Sequence, residues 1–202
     1  MEESDTALLA AWRAGQEGAG QRLFRRHFPA IARFFRDKVR GDLEELIQTT
    51  FLGCLEGQAR LRDDGSFRAF LFGIARNVLY KHYRTRASRG AAIDLDQVSL
   101  HDLGPTASTL IARDEKERLL LAALVRLPLA HQLVLEFAFW EEMSLAEIAE
   151  AMDIPVGTAA TRLRRAKQLL AAEMTALAVS NELRASISSG LETWARGLRE
   201  RR

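Results

Sequence analysis

The chain has 202 residues, 48% hydrophobic and 28% charged, with a net charge of +2 and one cysteine, Cys54. That apolar fraction suffices for one large or two small packed domains, and a single cysteine excludes an intramolecular disulfide and a cysteine-rich metal site. No stretch approaches the roughly 20 apolar residues of a membrane span, and the acidic start MEESDTALLAAW lacks the basic region and apolar core of a signal peptide, so a cytoplasmic protein is expected.

Helical periodicity runs through long stretches, with no run of alternating β-branched residues, so an all-α fold is expected. Asp5 is placed to cap a first helix carrying Leu8, Leu9 and Trp12. After Gly15–Gly20, a second presents Leu23, Phe24, Phe28, Ile31, Phe34 and Phe35. Asp42 is expected to cap a third, with Leu43, Leu46, Ile47, Phe51, Leu52 and Leu55 inward and Glu44, Glu45 and Gln48 outward. A turn over Gly57–Ser66 precedes a fourth, capped by Ser66, whose apolar positions are Phe67, Phe70, Leu71, Ile74, Ala75, Val78 and Leu79.

From Ala87 to Ser108 the periodicity fails, and scattered Asp94, Asp96, Asp102 and Gly104-Pro105 read as an extended, mildly acidic linker. A join of that length argues for two domains. Helical pattern resumes over Thr109–Leu127, stops at Pro128 and returns over His131–Trp140. Beyond Glu173, Leu177, Leu183, Ile187, Leu191, Trp194 and Leu198 predict a further amphipathic helix.

Ser144–Gln168 reads as a helix-turn-helix. Ser144 followed by Glu147 is a capping-box start, and Leu145, Ile148, Ala149 and Met152 form one apolar face. Asp153-Ile154-Pro155 ends that helix, because the residue before a proline is pushed out of the α region. Ala159, Leu163, Ala166 and Leu170 mark the buried stripe of the second helix, whose other face carries Thr161, Arg162, Arg164, Arg165 and Lys167 without an acid. Such a unit places side chains in a DNA major groove. Arg162 and Arg165, with Thr161 beside them, are the candidates for base edges; Arg164 and Lys167 are candidates for phosphates. Arg60–Arg89 is a second basic segment, so a polyanion contacted at two places is implied. The four histidines (His27, His82, His101, His131) are scattered, and no phosphate loop, nucleophile motif or metal-ligand spacing is present. No catalysis, metal, cofactor or small-molecule substrate is expected.

Three segments in order resemble bacterial RNA polymerase sigma factors of the extracytoplasmic-function (ECF) group. Asp42–Leu52, DLEELIQTTFL, resembles the family's core-binding helix. Phe67–Asn77, FRAFLFGIARN, resembles the helix that melts and reads the downstream promoter element. Leu127-Pro128, Leu145–Ala149, Ile154–Thr158 and Arg162–Ala166 resemble the domain that reads the upstream element. The chain departs from the pattern at Thr49, where an acid is usual, at Phe70, where tryptophan is frequent, and at Ala160 and Thr161, positions often held by Lys or Arg and by Ser.

The resemblance implies two small helical domains joined by a flexible linker. These are a region 2-like domain over 1–88, a linker over 89–110, a region 4-like helix-turn-helix domain over 111–172 and a C-terminal extension over 173–202. It implies that Arg60, Arg62, Arg76, Lys81, Arg84 and Arg86 neutralise phosphates of the opened downstream element. Asn77 and His82 would meet base edges, with Tyr80 and Tyr83 as stacking candidates. Asp42, Glu45, Leu46, Gln48 and Phe51 would contact core RNA polymerase, Leu46 as a semi-exposed anchor. The implied partners are core RNA polymerase, promoter DNA and an anti-sigma factor, which would clamp or sequester the two domains and hold the chain at the membrane without insertion. The alternative is a stand-alone dimeric helix-turn-helix regulator whose N-terminal helices sense a ligand or dimerise.

Overall fold

The computed structural model of the chain describes residues 3–36, 38–39, 41–58, 61, 66–86, 97–99 and 115–178, the side chains of 115–117 excepted. Among the described residues it is all-helical, with α1 (Asp5–Arg13), α2 (Glu17–Arg36), α3 (Leu43–Gly57), α4 (Phe67–Arg86), α5 (Glu115–Leu124), α6 (Leu129–Phe139), α7 (Leu145–Met152) and α8 (Val156–Leu177). One isolated bridge pairs Ser99 with Pro128.

The caps explain where the helices begin. Ser4, rather than Asp5, caps α1, its Oγ accepting from the Ala7 N–H at 3.2 Å. Asp5 is thereby freed to cross to α2, where it accepts from Arg26 at 2.6 Å and meets His27 Nε2 at 2.7 Å. Gly15 supplies the left-handed turn (φ +88°) between α1 and α2. The second helix starts at Glu17, before the expected Gly20, because Gly20 lies inside it against the Trp12 ring: a Cβ there would fall 2.7 Å from the indole nitrogen. Ser66 caps α4 as expected, accepting from the Ala69 N–H. Ser144 and Glu147 form the reciprocal capping box of α7. Asp153 then adopts a left-handed conformation, and Pro155 stands at the N-cap of α8.

Helix α4 is the element around which the core is organised. The face at Phe67, Leu71, Ala75 and Leu79 is buried as the spacing predicts, but Ala69, Phe72 and Tyr83 are buried too. The extra burial has a simple cause: α4 packs against α3 on one side and α7 on the other. Helix α6 is enclosed on nearly every side, with Leu133, Val134, Leu135 and Phe137 fully buried and the polar Gln132 and Glu136 mostly covered among them. The larger core therefore runs from Leu8 through Phe34, Phe35 and Phe72 to Phe137, Ile148 and Ala159, drawing on both sets of helices. A smaller core gathers Leu120, Leu127, Leu135, Trp140, Ala166, Leu170 and Met174 from α5, α6 and α8.

Most of the expected linker and the C-terminal amphipathic segment lie outside the described residues. Within the linker, the Val98 carbonyl accepts from the Leu129 N–H at 3.0 Å, tying residues 97–99 to the start of α6. Two inward assignments are corrected: Leu52 and Leu55 are 49% and 47% exposed, as is Phe28 on α2 at 49%.

Candidate nucleic-acid and polymerase interfaces

On α4, Asn77, Lys81 and Arg84 are exposed at spacings of four and three, which line them along one face. Arg76, beside them, donates from Nε and Nη2 to Asn77 Oδ1 at 3.3 and 3.0 Å, and its guanidinium lies 5.8 Å from the Tyr80 ring centre. The Asn77 amide thus accepts both bonds through Oδ1 and keeps its NH2 out of them. His82 is mostly covered, 3.8 Å from the Asp42 carboxylate. Burial, helped by the Arg86 charge, holds its pKa below the ordinary value against the pull of Asp42 and Glu45, so the ring is neutral at pH 7. Tyr83 is not available for stacking: it is buried and donates its hydroxyl to the Lys38 carbonyl. Arg60 and Arg62 lie outside the described residues.

The second helix of the helix-turn-helix is α8. Thr158, Thr161, Arg162 and Arg165 share a face by their spacing, Arg162 half-buried and the others exposed. Thr161 Oγ1 donates to the Gly157 carbonyl at 3.0 Å, which leaves its oxygen lone pairs facing solvent. Arg164 is exposed on the neighbouring strip, and Lys167 leans back over the Phe139 ring at 5.3 Å.

Helix α3 presents a third surface. Glu45, Gln48, Leu52 and Leu55 recur at three- and four-residue spacing, all exposed. Phe51 is half-buried beside them, stacked on Phe28 at 6.2 Å and packed against Phe24 at 4.9 Å. Leu46, expected as a semi-exposed anchor, is 7% exposed and belongs to the core. Asp42 occupies the N-cap position of α3 without a side-chain cap bond; its carboxylate pairs with Arg86 at 3.2 Å, joining the start of α3 to the end of α4. The exposed Phe28, Leu52 and Leu55 were not among the expected interface residues. The signal for Leu52 and Leu55 in the sequence is that the apolar positions of α3 are too many for one stripe.

Among the described residues there is no cluster of His, Cys, Asp or Glu able to hold a metal, and no helix is long and apolar enough to cross a membrane. Cys54 is buried, and burial pushes its thiol pKa up to about 12.

Residues 23–89 match the family described as Sigma-70 region 2, and residues 117–170 match Sigma-70, region 4. The chain is 30% identical over 138 residues to "RNA polymerase sigma factor YlaC" of Bacillus subtilis, covering 65% of this chain and 77% of that protein. The chain belongs to the sigma-70 family of RNA polymerase sigma factors. Within it, this sigma factor falls in the ECF group, with 28% identity over 172 residues to "ECF RNA polymerase sigma factor SigM" of Mycobacterium tuberculosis, 84% of each chain. Two solved structures share the fold: CnrH in complex with the cytosolic domain of CnrY (TM-score 0.62, 22% identity, 87% of this chain and 100% of that one), and RpoE with the anti-sigma factor NepR from Bartonella quintana (TM-score 0.55, 19% identity, 78% and 98%). The sigma factor therefore carries the family's two DNA-reading regions in order, α4 within region 2 and α8 reaching through the end of region 4.

Proposed function

We propose that this sigma factor directs core RNA polymerase to promoters by reading two elements, the downstream one with α4 as an opened single strand and the upstream one with α8 as duplex. The observation that carries this reading is the presence, in one chain and in family order, of two helices with exposed cationic faces of different make-up. On α4 a donor amide, an aromatic ring and three cations suit unpaired bases and phosphates. On α8 arginines and threonines without acids suit a major groove. Melting follows from differential binding: the chain favours the open strand by holding it better than the duplex. Phosphodiester chemistry resides in the polymerase, and this chain needs neither metal nor cofactor.

Core polymerase is the partner for the α3 surface, where Glu45 and Gln48 flank the apolar Leu52 and Leu55, with Phe51 and Phe28 alongside. An interface of this kind has an apolar centre and a polar rim. Division into a region 2 domain over 1–88, a linker over 89–110, a region 4 domain over 111–172 and an extension over 173–202 is part of the same proposal. So are a cytoplasmic location and control by an anti-sigma partner that can hold the chain at the membrane.

The test is run-off transcription with purified bacterial core polymerase and a library of promoter-like templates. Specific initiation that requires both core and this chain is expected, and the selected templates deliver both elements. Dimeric binding to duplex DNA with no affinity for core would replace the sigma reading with that of a stand-alone regulator.

A further inference from the structure

The face shared by α2 and α3 stands half in water in the free chain. Phe28, Leu52 and Leu55 are 49%, 49% and 47% exposed, and Phe51 joins them into one patch by stacking on Phe28 at 6.2 Å. Large apolar side chains gathered in this way mark a surface that another molecule covers.

The charges at its edges restrict what that molecule is. At about 100° per residue, the order around α3 from the α2 side outward is Phe51, Leu55, Leu52 and then Glu56. Around α2, Phe24 packs on Phe51, Phe28 follows, and Arg25 lies beyond it on the side away from α3. Arg25 and Glu56 are both exposed, and neither makes an ion pair among the described residues. Helix α3, LEELIQTTFLGCLEG, holds no cation at all. The patch is therefore an apolar strip with an unpaired cation on one flank and an unpaired acid on the other.

A surface with opposite signs on its two flanks is complementary to itself. A two-fold axis through its centre lays apolar strip on apolar strip and brings the cationic flank of each copy to the acidic flank of the other. That is the condition for a closed, isologous dimer. A parallel stacking of the same two strips would set like charge on like charge, so the flanks also fix the orientation.

We infer that, in the absence of core polymerase, this face is occupied by a second copy of the chain in a two-fold dimer that sets Arg25 of each protomer against Glu56 of its partner. The dimer masks the face assigned above to core polymerase, so self-association and core binding exclude each other; the masking rests on the sigma-factor reading. The covered strip is small, and the dimer is correspondingly weak, with a dissociation constant on the order of 10–100 µM. Core polymerase therefore displaces it readily.

Sedimentation velocity on the full chain, over a concentration series that brackets this value, reads the association. Arg25→Glu and Glu56→Arg each set like charges across both flank contacts, and each alone should weaken the dimer about tenfold or more. Mixed in equal amounts, the two variants should associate as the wild type does, because every flank contact of the mixed dimer again pairs an arginine with a glutamate. Both positions are exposed, so the melting temperature of each variant should stay within about a degree or two of the wild type. Added core polymerase should convert the dimer into a complex with one copy of this chain.

A chain that stays monomeric throughout the series overturns the inference, as does a dimer that neither variant weakens or that the mixture fails to restore. A dimer that persists intact on core polymerase overturns the masking. A charge-dependent dimer with no affinity for core upholds the self-association and removes the sigma reading.

Discussion

Asp5 shows how one displaced residue reorganises its surroundings. Because Ser4 takes the capping role, the Asp5 carboxylate is free to bridge to α2. The hydrogen bond from His27, aided by Arg26 and opposed by partial burial, lowers its pKa from 3.8 to about 2. A carboxyl depressed in the folded state stabilises fully above its unfolded value and loses that contribution as pH falls through the folded value. The full shift corresponds to about 2.5 kcal/mol, and with nearly a third of the side chain exposed, solvent screening reduces this to about 1 kcal/mol. Asp5→Asn should therefore lower stability at pH 7 by about that amount, and urea titrations should show the gap closing between about pH 4 and pH 2. A gap that stays constant to pH 2 would assign the loss to packing. Gly20→Ala tests another residue-scale contact: its methyl falls 2.7 Å from the Trp12 ring, so the ring must be displaced from its seat on α2, at a cost of about 1–3 kcal/mol read as a lower melting temperature.

At the scale of the element, α8 and α3 make separable predictions. Arg165 and Arg162 share a face with Thr161, so under the proposed function Arg165→Ala should cost about 1–3 kcal/mol at the preferred upstream element and relax base choice there. Arg164→Ala, on the neighbouring strip, should weaken all sequences alike and reduce the salt slope by about one phosphate, as gel-shift titrations over a salt series would read. On α3, Leu52→Ser and Leu55→Ser remove side chains that are half exposed in the free chain. Each should weaken core binding about tenfold, which is about 1.4 kcal/mol, while leaving the melting temperature within about a degree or two.

The same elements show how far a sequence reading reaches. Helix α7 with its capping box, the turn at Asp153–Pro155 and the Ala159–Ala166–Leu170 stripe were legible, because caps, breakers and periodicity are local signals. The faces of α3 were not. Its apolar residues wrap most of the way round, and periodicity alone does not say whether Leu46 or Leu52 faces inward. Neighbours decide it, with α2 and α4 covering Leu46 and leaving Leu52 and Leu55 in the open.

For the whole molecule, the decisive feature is the core shared by both sets of helices. Phe137 of α6 touches Phe34 and Phe72, so Phe137→Ala should destabilise by about 3–5 kcal/mol. Hydrogen exchange should record the loss in α2 and α4 as well as α6 and α7. Protection lost in α6 and α7 alone would mean that the halves unfold independently. Electrostatics across the same boundary are tuned by burial. Burial and the neighbouring Glu136 raise the Glu141 pKa despite Arg33, Arg68 and Lys38. Partial burial opposes ionisation of Glu147 as well, but there hydrogen bonds from Ser144 and Ser66 and the Arg68 charge prevail and hold its pKa low.

The amino-acid sequence by itself determined the helical class, the helix-turn-helix, the two cationic segments and the family, because each is written in neighbouring residues: spacing, caps, breakers and motif order. Only the tertiary structure decided that Tyr83 is a core residue, that Phe28, Leu52 and Leu55 form a surface, and that Lys38 finds Glu136 ninety-eight positions away. Those outcomes depend on which faces meet when helices pack, and a helix with more apolar positions than one stripe has several ways to meet its neighbours until all of them are in place.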